Sequence, residues 1–240
     1  MRLARLYFAL ILVADGRACA QNASDEWFPA HVGDKWTYEY TSRDENGRGR
    51  AHLDVHAWKT EEMTTGLWVV PEGTLIERQV RIVEGSPREG WGTNATPAYL
   101  LQGNCVYGDL GDADWDASAH QLNPHFLVSL TAGEVSPNFC FPLTLHKMWG
   151  APHGLPDWNV PRPEQARDWA VVSVTVRDPA TPAGQTTFHI INISAYPGSG
   201  ETVDTWFAKG VGVVRKDEVH HGTIGELRTR LLRFQPASRQ

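Results

Sequence analysis

The chain reads as a mainly β protein built on an antiparallel sheet, and three features predict this. Short segments alternate apolar and polar residues with period two, turn-forming residues separate them, and no long amphipathic helical pattern competes. Residues 36–41 alternate aromatic and polar side chains, and residues 51–58 set Leu53, Val55 and Ala57 on one side. Residues 66–70, 75–84 and 98–102 continue the series, with Trp68 expected in the core. A second block follows at residues 169–176, 186–194, 202–207, 211–219 and 226–234, for roughly ten strands in all. Between them stand Asn46-Gly47, Pro182 to Gly184, Pro197 to Gly200 and Lys209-Gly210, which tolerate tight or positive-φ geometry.

Residues 103–165 break the pattern. They carry Pro137, Pro142, Pro152, Pro156, Pro161 and Pro163, and proline has no amide hydrogen for a sheet ladder, so the stretch reads as loop. Short helices are expected at 113–123 and 163–168. In the second block Val172, Val174 and Val176 line one face, with Ile191 and Ile193 nearby. An antiparallel sheet needs one face covered. With no long helix for the task, three covers remain: the sheet closing on itself, the proline-rich middle, or an apolar ligand.

The N-terminus reads as an export signal. Arg2 and Arg5 give a positive start, Leu3 to Ala14 form a nearly unbroken apolar run of about 12 residues, and Ala18-Cys19-Ala20 offers small residues for cleavage before Gln21. That run is too short to cross a bilayer of roughly 30 Å as a helix, and no other segment reads as a span. Gly16-Arg17-Ala18 is a poor lipidation context for Cys19, so the expectation is an unlipidated chain starting near Gln21. The expected organisation is a signal peptide over 1–20 and a single β-rich domain over 21–240, read either as one unit or as two half-repeats flanking 103–165. Cleavage shifts the net charge from −6 to −8, leaving 19 basic against 27 acidic residues. That balance, without a basic stripe, argues against a nucleic-acid partner.

Two cysteines remain after cleavage, Cys105 and Cys140. In an oxidising compartment they read as a disulfide, closing a loop that contributes ~3.5–4 kcal/mol in the chain-entropy model. A catalytic thiol needs a basic neighbour, whereas Phe139-Cys140-Phe141 is apolar.

No catalytic residues stand out. Asp112, Asp114 and Asp116, with Asp109, Ser118 and Asn123 nearby, alternate as oxygen ligands for Ca2+ would. An EF-hand wants Gly and Glu where Ala117 and Asn123 stand, and an acidic solvated loop explains the run equally well. His146 and His153 are separated by Gly150 and Pro152, and His220-His221 point to opposite faces of a strand, so nothing fixes a zinc site. Gly210-Val211-Gly212 lacks the third glycine and the helix of a dinucleotide loop, and no nucleophile elbow is present. Trp91, Trp115, Trp149 and Trp158 lie in loop-like sequence, where an aromatic face can serve as a platform for a ligand or simply pack over the sheet.

Phe28-Pro29 to Lys35-Trp36 is weakly echoed by Phe141-Pro142 to Lys147-Met148-Trp149. FPAHVGDKWTYEY, TPAGQTTFHI, ETVDTWFAKGVGVVRKD and GELRTRLLRF together resemble the opening and closing strands of the TapB-like and DUF3108-like exported bacterial proteins. The resemblance covers roughly 27–60 and 165–234, with Pro182, Gly184, Phe188, Trp206, Gly210, Gly212 and Leu227 matching. Ala30, Lys209 and the cysteine-bearing middle depart from it. It implies a fold like that of LolA-like lipoprotein carriers, a curved sheet or half-barrel with a concave apolar face, and it carries over no catalytic residue.

Three functions of different class follow. The first is a non-enzymatic envelope protein whose curved sheet holds an apolar, lipid-like ligand or a protein partner. The second is an exported hydrolase using carboxylates or histidines of the middle loop. The third is an adhesive or structural module that pairs through edge strands.

Overall fold

The computed structural model describes residues 27–45, 53–85, 94–95, 97–111, 113–144, 147–149, 169–173, 187–196, 199–221 and 225–238. In chain order the strands are β1 (Lys35–Glu45), β2 (Leu53–Val70), β3 (Gly73–Glu84), β4 (Asn94–Ala95), β5 (Ala98–Gln102), β6 (Cys105–Leu110), β7 (Trp115–Asp116) and β8 (Gln121–Leu122). A helix, α1 (Pro124–Ala132), leads to β9 (Phe139–Cys140) and β10 (Lys147–Met148). The chain ends with β11 (Trp169–Ser173), β12 (Thr187–Tyr196), β13 (Ser199–Ala208), β14 (Gly212–His221) and β15 (Gly225–Gln235).

The main sheet has 13 strands in the order β10-β11-β12-β13-β14-β15-β1-β2-β3-β5-β6-β9, with β4 on β3. Ten of them run five residues or more. Two meanders, β1 to β9 and β10 to β15, are joined where β15 pairs antiparallel with β1. The edge strands β9 and β10 are consecutive in sequence, so the short link between them passes from one end of the sheet to the other. Lys147 Nζ donates to the Cys140 and Pro142 carbonyls at 2.8 and 3.0 Å. Phe139 and Phe141 on one wing meet Phe207 of β13 on the other, with ring centroids 4.6 and 6.2 Å apart. The result is a curled half-barrel. Register irregularities at Thr37/Tyr38, Thr64/Gly66 and Trp206/Phe207 supply the local bends.

Adjacent residues of β3 and β5 divide between two cores, as a period-two strand requires. Ile76 and Val106 join Trp27, Phe28, Phe141, Ile190 and Phe207 inside the curl. Leu75, Ala98, Leu100 and Leu110 face outward, beneath Trp115, Leu122 and Phe126 from the β7–β8 hairpin and α1. Gly73 is needed where β3 meets β5, because a Cβ there would stand 2.2 Å from the Leu101 carbonyl oxygen. Gly210, at φ 71°, makes the left-handed turn into β14.

Some expectations need correcting. The segments expected over 51–58 and 66–70 fall, from Leu53 onward, in one 18-residue strand, β2 (Leu53–Val70). The middle is less irregular than its prolines suggest, since it contains β6 and α1. The helix expected over 113–123 is instead a turn and a short hairpin. α1 starts one residue later, after Asn123, with Pro124 at a position whose amide has no helical acceptor anyway. Trp68 is 37% exposed and stacks on His120 at 3.6 Å. Segment 163–168 and both Val174 and Val176 lie outside the described residues, and Val172 is placed by its backbone opposite Phe188.

Candidate functional site

The inner face of the sheet encloses a cavity of about 410 Å3 between the wings. Register determines what lines it. Tyr40, Thr229, Lys216, Thr205 and Ile190 form one continuous cross-strand row over β1, β15, β14, β13 and β12. The next row inward on the same strands brings Glu218, Val203 and Asn192. Tyr38, Glu62, Arg78 and Tyr99 complete the opposite wall, with Phe28 and Phe139 closing it. Among the described residues five aromatic rings and five charged side chains line the space, so its wall is amphipathic and not the apolar surface the fold resemblance implies.

Arg78 is the most unusual member. It is 5% exposed, and its Nη1 donates to Glu62 Oε1 at 2.5 Å while Nη2 donates to the Pro29 carbonyl at 3.1 Å. Its guanidinium carbon lies 4.4 to 4.9 Å from the ring centres of Trp36, Phe28 and Tyr99. Burial is the largest single influence and lowers its pKa, but the Glu62 carboxylate together with Tyr99 and Tyr38 more than offsets it and holds the group above the ordinary value. Its Nε is buried without a hydrogen-bond partner. Beside it Tyr38 donates to the Val213 carbonyl at 3.1 Å, and burial pushes its pKa well above the usual tyrosine range. Across the cavity Lys216 pairs with Glu218 at 3.1 Å and His220 with Glu201 at 3.5 Å.

The two stretches of the family resemblance meet at this wall. Trp36 Nε1 donates to the Val211 carbonyl at 2.7 Å, joining the opening motif to the glycine turn of the closing one. Asp34, 1% exposed, accepts the amides of His31 at 3.0 Å and Ala237 at 2.8 Å, fastening the C-terminal tail against the same corner. Trp206 faces outward, where it stacks on His189 at 4.4 Å and lies under Arg215.

The residues singled out from sequence fall elsewhere. Cys105 and Cys140 are bonded, linking β6 to the edge strand β9. Trp115, 1% exposed, packs in the outer core and offers no face to solvent. Trp149 packs partly against the inner core and donates Nε1 to the Pro137 carbonyl at 3.1 Å. Asp114 accepts the Gly111 amide at 3.1 Å. Asp116 accepts the Ser118 and Ala119 amides and the Ser118 hydroxyl, which lower its pKa. These bonds tie each carboxylate into its own turn. Among the described residues no three His, Cys, Asp or Glu side chains could hold a metal ion. Trp91, Trp158, Asp112, His146 and His153 lie outside the described residues.

No known family profile matches the chain. No curated protein matches it either. Among solved structures, a protein of Bacteroides fragilis described as exported, with a YmcC-like fold, aligns at 12% identity and a TM-score of 0.42, covering 88% of this chain and 99% of that one. A Parabacteroides distasonis protein described as a lipoprotein aligns at 13% identity and a TM-score of 0.39, with the same coverage. The functional reading below is built on this chain's own residues.

Proposed function

We propose that this is an exported, non-enzymatic binding protein of the bacterial envelope, with the curved-sheet fold of LolA-like carriers that its resemblance to the TapB-like and DUF3108-like proteins implies. Its curled sheet holds one small amphipathic ligand between the wings. One observation carries the reading: a cavity of about 410 Å3 lined, among the described residues, by five aromatic and five charged side chains. That volume is in the range of small-molecule sites, roughly 300–1,000 Å3. The aromatic rings supply buried area, and the charged groups fix orientation. The reading also gives the buried Arg78–Glu62 pair a use, since a buried ion pair contributes little net stability over an apolar pair of the same shape.

Titrating the purified protein with Nile red, a neutral dye whose emission reports an apolar environment, tests this. Saturable binding of one dye per chain at micromolar concentration is expected, and substitution of Tyr40 and Tyr99 by Ala together should weaken it at least tenfold. Binding that never saturates, or that ignores both substitutions, would sink the proposal. Export is checked separately by N-terminal sequencing of the secreted protein, which should begin near Gln21.

A further inference from the structure

The charges in the cavity do not balance. Among the described residues its wall carries three carboxylates, Glu62, Glu201 and Glu218, against two cations, Arg78 and Lys216. Arg78 and Glu62 are committed to each other at 2.5 Å and are nearly buried, so they leave no net charge for a ligand. The remainder lies on β13 and β14. Glu201 stands opposite His220 and Glu218 opposite Val203, which makes the two carboxylates diagonal neighbours on one face of one strand pair. Such positions lie about 7–8 Å apart, and like charges there repel. Lys216, two residues along β14, places its single ammonium on Glu218. Glu201 has for its ion partner the imidazole of His220, which is itself about half exposed.

We infer that the cavity selects ligands bearing an ammonium-type cation, held between Glu201 and Glu218, with the apolar part of the molecule against the tyrosine and phenylalanine rings. This rests on the reading of the cavity as a ligand site. The two carboxylates are 29% and 18% exposed, reachable from the cavity yet sheltered, so a cation between them gains more than it would at open surface. Aromatic faces favour a cation a second time. An anionic ligand would meet a wall with surplus negative charge whose two cations are already paired. A bare metal ion would need several converging oxygen ligands, and among the described residues no such group forms.

The experiment compares three probes of one shape by isothermal titration calorimetry at pH 7 and low salt: 2-phenylethylamine, 2-phenylethanol and 3-phenylpropionate. The amine should bind at least tenfold tighter than the alcohol, with the acid weakest. Glu201→Gln should narrow the amine-to-alcohol ratio to within about twofold, and Lys216→Met, which removes the competing ammonium, should widen it. Equal affinities, a preference for the acid, or a ratio unmoved by Glu201→Gln would each overturn the inference while leaving the cavity a ligand site. Failure of all three probes and of Nile red would remove the ligand site itself.

Discussion

On β3, β5 and β6 the outer face is covered by chain that follows soon afterwards in sequence, whereas the inner face looks across a cavity at the opposite wing. The outer cover, the β7–β8 hairpin and α1, brings Trp115, Leu122 and Phe126 down onto Leu75, Leu100 and Leu110 and fills the space. Among the described residues the inner face is covered by the curl of the sheet itself. Phe139 and Phe141 close one end against Phe207, but the curvature keeps the rest of the walls apart, and polar side chains line the gap. A segment free to settle onto a sheet makes a dry core. Two wings of one continuous sheet, held apart by their hydrogen-bonded neighbours, leave a cavity.

The contrast can be broken from either side. Glu62→Gln strips the buried Arg78 of its counter-ion and should cost about 3–5 kcal/mol, read by denaturant unfolding. Replacing Glu62 and Arg78 together by Met should cost less than that single change and still abolish the cavity's polar floor. A loss under 1 kcal/mol for Glu62→Gln would mean the pair is solvated. On the outer face, Leu100→Ala should cost about 3 kcal/mol through an unfilled cavity and leave Nile red affinity unchanged. Loss of dye binding by a folded Leu100→Ala protein would show that the two faces are not independent. Cys105→Ser with Cys140→Ser frees the edge strand that carries Phe139 and should cost about 2–4 kcal/mol. That change should also weaken dye binding, because β9 closes the inner side; an unaltered melting temperature would contradict the role given to the bond. The smallest effect is expected from Trp36→Phe, which removes the donor to Val211 and should cost about 1–2 kcal/mol.

The same contrast explains what could be read from the sequence. β1, β3 and β5 show period-two alternation because apolar cores lie against them, and two cysteines in a chain that reads as exported suffice to suggest their bond. β2 reads as two strands because its inner residues Thr60, Glu62 and Thr64 interrupt the apolar alternation where the strand passes along the polar wall. Arg78 in a strand pattern reads as a surface cation. What makes it otherwise is three rings from Phe28, Trp36 and Tyr99, which only the curl brings together. α1 has no acidic first turn and no basic last turn to announce it. The tryptophans of the middle segment were the visible candidates, yet Trp115 and Trp149 secure the cover and the edge. The residues that line the cavity were hidden because a polar inner wall resembles a solvated outer one.

The most direct test is to ask which face a bound molecule touches. Protein labelled with 15N and with 13C at aromatic positions, titrated with 2-phenylethylamine, should show shifts concentrated at Tyr38, Tyr40, Tyr99, Phe139 and the backbone of Glu201 to Thr205. Leu100, Trp115, Leu122 and Phe126 should stay still. Shifts centred on the outer core, or spread evenly over exposed strands, would contradict the assignment of the cavity as the binding site.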